Sequence, residues 1–189
     1  GVMAPRPRRG WDPERTPNDA RPAAALVLVY PRNEAAHLVL TVRASDLPTH
    51  AGQVSLPGGG VDAGETLEQA ALREAWEEIG VDPAAVTIIG ALTPLHIPVS
   101  GFLLHPLVGC TPVPPSFDPH AREVARVAEV PLRLLADPAT RALTHWRYEE
   151  RDYEVPYFDV DGLRVWGATA MGLGEFLALL ADEQAPTDG

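Results

Sequence analysis

No lysine occurs in the 189 residues: all fifteen basic side chains are arginine, against 26 acidic ones, for a formal net charge of −11. A chain this acidic lacks the basic surface that non-specific nucleic-acid binding or attachment to an anionic membrane requires. An anionic substrate stays open, because metal ions or a few placed arginines reverse the potential inside one cleft. A single cysteine, Cys110, excludes an intramolecular disulfide framework and a multi-cysteine zinc site. Set in the apolar run "HPLVGCTPV", it reads as a buried structural thiol. No uninterrupted apolar span of about 20 residues is present, so no transmembrane helix is expected. The N-terminal stretch has charge but no apolar centre, unlike a secretory signal, and "APTDG" at the other end carries no peroxisomal address. These absences predict a soluble cytoplasmic protein without nucleic-acid or membrane partners. They leave its oligomeric state open.

What is there is of ordinary globular kind, 46% hydrophobic and 22% charged, enough for one core of useful size. Residues 1–22, rich in Pro, Arg and Asp without periodic apolar positions, read as a flexible or surface-hugging N-terminal arm. Residues 23–182 read as a single domain, and 183–189 as a short tail. Strand-like runs are "AAALVLVYP", "HLVLTVR", "AVTIIGALTPLHI" and "GFLLHPLVGCT". "REVARVAEVPL" fits helix and strand alike. "YEVPYFDV" and "LRVWGA" are joined by "VDGL", an Asp-Gly hairpin turn. "TAMGLGEFLALLADE" has helical spacing and closes the domain. Strands interleaved with two or three helices predict a mixed α/β sandwich.

The informative stretch is "LPGGGVDAGETLEQAALREAWEEIGV", residues 56–81. Thr66 with Gln69 forms a capping box, and Gly80 suits the left-handed position after the last turn, which predicts a helix over 67–79. At about 100° per residue, Ala71, Leu72, Ala75, Trp76 and Ile79 gather on one side; Arg73, Glu74, Glu77 and Glu78 gather on the other. A solvated charged face is the simplest account of such a helix. Yet three carboxylates crowd together, and like charges one turn apart repel. Only Arg73, at i,i+4 to Glu77, relieves them. Oxygen-only ligands suit hard divalent cations such as Mg²⁺ or Mn²⁺. The preceding "PGGG" lets backbone pass close by, and Glu65 adds a carboxylate near the helix start. Together these features describe a metal cradle.

Gly59, Glu65, Arg73-Glu74, Ala75, Glu77-Glu78, Gly80 and Val81, at their spacing, resemble the Nudix box. Ala75 departs from the larger aliphatic residue usual there, which bears on packing and not on chemistry. The resemblance implies an α/β/α sandwich with a central mixed β-sheet. It also implies hydrolysis of a nucleoside diphosphate linked to another group. By position, Glu74, Glu77 and Glu78 would ligate Mg²⁺ or Mn²⁺, with the carbonyl of Gly58 near the shell. Arg73 would orient a glutamate, and Gly59, Glu65 and Gly80 would support the loop and helix. Glu123 resembles the family's additional downstream ligand. Either Glu74 on the helix or Glu123 beyond it would be the general base.

Upstream, "VLTVRASDLPTHAGQVSLPGG" resembles the motif of the coenzyme A pyrophosphatase branch through Leu40-Thr41, Arg43, Ala44, Gly52 and Pro57-Gly58-Gly59. Pro48 stands where that branch has arginine, and Leu56 where it has phenylalanine. The likeness implies cleavage of coenzyme A, and of related derivatives, into 3′,5′-ADP and 4′-phosphopantetheine. Arg43, His50 and Gly52 would then be substrate-binding; a strand-end salt bridge for Arg43 and a loop-ordering role for His50 are the structural alternatives. Two rival functions remain. One is a related diphosphatase acting on ADP-ribose, dinucleotides or modified nucleoside triphosphates. The other is a non-catalytic binding module, against which the complete set of box carboxylates speaks.

Overall fold

The computed structural model describes residues 3–6, 17, 19–44, 52–148 and 150–183, and its organisation turns on the first strand. β1 (Arg21–Arg32) is buried without interruption from Ala23 to Leu28, as expected of a strand covered on both faces. Ala24, Leu26, Leu28 and Tyr30 point to one side, with Ala70, Ala71, Ala75 and Ile79 of helix α1 (Leu67–Ile79). Ala25 and Val27 point to the other, with Leu173, Phe176 and Leu177 of helix α3 (Gly167–Glu183). The two-residue side-chain period of a strand thus sorts one sequence run into two cores.

Eight described strands join in one sheet. β1 pairs antiparallel with β2 (Ala35–Arg43) and β4 (Gly58–Gly60), and parallel with β7 (Phe102–Cys110). β3 (Val54–Ser55) and β8 (Val124–Pro131) add to β2. β5 (Thr87–Ala91) and β6 (Leu95–Ile97) add to β7. Parallel and antiparallel pairs coexist, so the sheet is mixed. The ambiguous stretch after residue 122 becomes strand β8 up to Pro131, then one short helix, α2 (Leu132–Ala136). A smaller antiparallel sheet of β9 (Arg141–Tyr148), β10 (Arg151–Val160) and β11 (Leu163–Trp166) shares the α3 side, contributing Phe158, Val160 and Val165 to that core. The expected Asp-Gly hairpin is present, Asp161 and Gly162 both having positive φ between the paired Val160 and Leu163.

Where it is described, the stretch expected to be a flexible or surface-hugging arm lies against the domain. Met3 is buried in the α3-side core, its side chain lying against Gly174. Arg6 exchanges backbone hydrogen bonds with Glu154 of β10, and Arg21 and Pro22 already belong to β1. Cys110, expected to be buried, is half-buried at the end of β7.

α1 ends as its sequence demands. Gly80 has φ 72° and donates its N–H to the Ala75 and Trp76 carbonyls, a conformation in which a side chain is costly. A Cβ there would also lie 2.9 Å from Cβ of Asp118. Gly80→Ala is therefore expected to cost about 2 kcal/mol and lower the melting temperature by roughly 4–8 °C. An unchanged melting curve would contradict this account of the helix end.

Candidate active site

The site is built where β4 passes beneath α1. β4 pairs with Ala23–Ala25 of β1, so close that a Cβ on Gly58 would collide with the Ala24 carbonyl and the Ala25 backbone. Gly58 in turn donates its N–H to Oε2 of Glu78 at 3.2 Å. Gly59 lies under the carboxylate of Glu74: a Cβ at Gly59 would stand 2.5 Å from its Oε1. Two glycines thus let two helix carboxylates rest on backbone.

Arg73 ties the loop to the helix. Its guanidinium grips Glu65 with two parallel bonds, Nε to Oε1 at 2.9 Å and Nη2 to Oε2 at 3.0 Å, the strong bidentate form. Nη2 also donates to the Gly60 carbonyl at 2.9 Å. Nη1 reaches Glu74 at 2.8 Å and Glu77 at 3.0 Å. Bonding to Arg73, with the Asp62 N–H adding to it, holds the Glu65 carboxyl below the usual carboxylate range. The i,i+4 contact to Glu77 was legible in the sequence. The reach back to Glu65 and Gly60 was not, since a turn of unspecified shape intervenes.

Glu78 corrects the helical-wheel reading. It is 5% exposed, whereas Trp76, assigned to the apolar side, is 57% exposed. Burial pushes the Glu78 carboxyl up to about 7; the Gly58 N–H opposes that, the Glu74 and Glu123 charges add to it, and Arg43 works against it. Glu74 is also raised, first by burial, with Arg73 opposing and Glu77 and Glu123 adding. Buried carboxylates that repel one another are costly unless a cation joins them.

Glu123 arrives on a loop fixed to the end of α1. The N–H of Asp118 donates to the Ile79 carbonyl and that of His120 to the Glu78 carbonyl, each at 2.9 Å. These bonds occupy helix-end acceptors that would otherwise lack partners. The Ala44 N–H then donates to the Glu123 carbonyl, joining this loop to the end of β2. No local sequence signal marks Asp118 or His120 for this task.

Arg43 sits at that strand end, its charge close enough to act on Glu78. Its buried Nε has no hydrogen-bond partner among the described residues. Gly52, with φ 70° and open space where a Cβ would be, donates its N–H to the Arg43 carbonyl. His50 and Pro48 lie outside the described residues.

Among the described residues, no three His, Cys, Asp or Glu side chains already stand as a ligand set; Glu74 and Glu77 are paired with Arg73. The donor chemistry nonetheless fits a hard divalent cation. Glu74, Glu77, Glu78 and Glu123 offer carboxylate oxygens only, and the burial of Glu78 leaves a charge that a cation would offset.

The family model described as NUDIX domain matches residues 20–149. The Cronobacter sakazakii protein named uncharacterized Nudix hydrolase NudL is 41% identical over 180 residues, covering 90% of this chain and 88% of its own. The Citrobacter koseri protein of the same name is 41% identical over 149 residues, 77% and 71% of the two chains. Among solved structures, the M. smegmatis Nudix hydrolase RenU superposes with a TM-score of 0.54 at 28% identity, over 62% of this chain and 74% of its own. A C. elegans Ap4A hydrolase binary complex gives 0.55 at 21% identity, over 86% and 98%, which speaks for the fold alone. With the box carboxylates, their glycine bed and the Arg73 hub in place, the chain belongs to the Nudix family of hydrolases.

Proposed function

We propose that the protein hydrolyses the diphosphate of coenzyme A, and of its derivatives, to 3′,5′-ADP and 4′-phosphopantetheine. The observation that carries this reading is Arg43. It is a cation with a buried Nε that has no partner among the described residues, close enough to act on a buried carboxylate, in the segment that resembles the coenzyme A branch. A planar guanidinium so placed suits a phosphate oxygen.

Glu74, Glu77, Glu78 and Glu123 would hold the Mg²⁺ or Mn²⁺, with the Gly58 carbonyl as a backbone candidate. When bound, the cation neutralises charge on the diphosphate and lowers the pKa of water. The chain's own residues supply positioning. Arg73 fixes Glu74 against Gly59, Arg43 meets the diphosphate, and the burial around Glu78 excludes bulk water. Glu74 or Glu123 would take the proton of the attacking water. Glu65, Gly59 and Gly80 keep loop and helix in register, and Gly52 donates its N–H to the Arg43 carbonyl.

Purified protein incubated with coenzyme A and Mg²⁺ or Mn²⁺ is expected to yield 3′,5′-ADP and 4′-phosphopantetheine in equal amounts. Absence of 3′,5′-ADP at every cation concentration would reject the substrate. A second reading, hydrolysis of ADP-ribose, a dinucleotide or a modified nucleoside triphosphate, is favoured by Pro48, which removes a cation from the branch motif. It would prevail if those compounds were cleaved and coenzyme A ranked last.

A further inference from the structure

We propose that Trp76 is the platform on which the adenine ring of the substrate stacks, in the recess between α1 and the 118–123 loop. This rests on the reading of the substrate as an adenine-bearing diphosphate, and deepens it.

Trp76 is the largest side chain on α1, and it is more than half exposed, while Ala70, Ala71, Ala75 and Ile79 are buried. Leaving an indole in water forfeits the burial that such a side chain normally supplies, so the fold itself makes little use of it. The indole lines a recess of about 560 Å³ together with Glu77, Asp118, Pro119, His120 and Glu123. That volume falls in the range of small-molecule sites.

The position of the recess follows from its lining. Glu77 and Glu123 are two of the candidate metal-holding carboxylates, so a group lying there is adjacent to the diphosphate. Its chemistry follows from the same residues. Trp76 and Pro119 offer apolar faces to a flat ring, and aromatic side chains stack nucleobases readily. Asp118, the lining carboxylate not assigned to the cation, accepts hydrogen bonds and cannot donate them when ionised. Such an edge suits a base carrying an exocyclic amine and disfavours one presenting a carbonyl there.

The test uses the full chain with Mg²⁺ and two variants, Trp76→Ala and Trp76→Phe. On the best-cleaved diphosphate substrate, Trp76→Ala is expected to raise KM about tenfold, within the roughly 5- to 150-fold span of one lost stack. kcat should stay within about twofold, as for an interaction made equally in ground and transition states. Trp76→Phe should restore most of the affinity, which a merely structural role would not require. Independently of any turnover, adenosine monophosphate should quench tryptophan fluorescence in the wild type, and inosine monophosphate should bind more weakly. That quench should vanish in Trp76→Phe, which keeps the other three tryptophans. An unchanged KM in a folded Trp76→Ala protein, or a quench surviving in Trp76→Phe, overturns the proposal. Failure of coenzyme A as substrate would show separately, as absent cleavage by the wild type, while the nucleotide titration still decides the role of Trp76.

Discussion

Glu78→Gln is expected to cut hydrolysis by about 10²–10³-fold or more, the loss typical of removing one preorganised charged contact from a transition state. The fold should survive, because the amide keeps an oxygen for the Gly58 N–H that now donates to Glu78 Oε2. The same substitution should stabilise the cation-free protein at high pH. A carboxyl whose folded value is raised from 4.5 to about 7 favours the protonated form in the folded state. Below pH 4.5 both states carry the proton and nothing is lost. As pH climbs toward 7 the unfolded chain ionises first and stability falls. Above 7 the cost approaches about 3 kcal/mol. Thermal unfolding without divalent cations should therefore show the variant melting above wild type at pH 8 and level with it near pH 4.5. Added Mg²⁺ should raise the wild type more than the variant. Near-normal turnover would remove Glu78 from the site, and equal melting at pH 8 would refute its burial as an uncompensated charge.

Gly59→Ala is expected to be nearly as damaging to activity, by another route. The new methyl would stand 2.5 Å from the Glu74 carboxylate, and the flexible end of that side chain can swing away at little cost to stability. Displacing a reacting group by about 1 Å is enough to lose about 10²-fold in rate. The expected pattern is a collapse of kcat with a melting temperature close to wild type. Gly58→Ala, one residue earlier, meets backbone instead and should chiefly unfold the protein. Wild-type kcat in Gly59→Ala would show that Glu74 has no positional duty.

The parts of this molecule that could be read from sequence are those fixed by neighbours in the chain. Thr66 and Gln69 cap α1, and Gly80 ends it, through bonds spanning a few residues. Asp161-Gly162 closes its hairpin for the same reason. β8 was ambiguous because it is made a strand by β2, about 90 residues earlier in the chain. Met3 lay in a segment without any pattern and is held by α3, from the far end of the chain. The inversion of Trp76 and Glu78 has a different origin. A helical wheel sorts residues by polarity, and here chemistry overrides polarity, with the acid placed inside and the indole outside. Such conflicts between local pattern and final placement are expected at functional sites. The hydroxyl bond of Tyr30 to Glu129 of β8 at 3.0 Å was invisible for the same reason as β8 itself.

The seam between the Asp118 and His120 amides and the last carbonyls of α1 constrains how this chain can change over generations. In the irregular stretch 112–116, between β7 and the core-packed Phe117, residues can be gained or lost without altering where the downstream acid stands. Between His120 and Glu123, a single inserted residue would swing that acid off its bearing. Length polymorphism should therefore accumulate before the seam and be absent behind it.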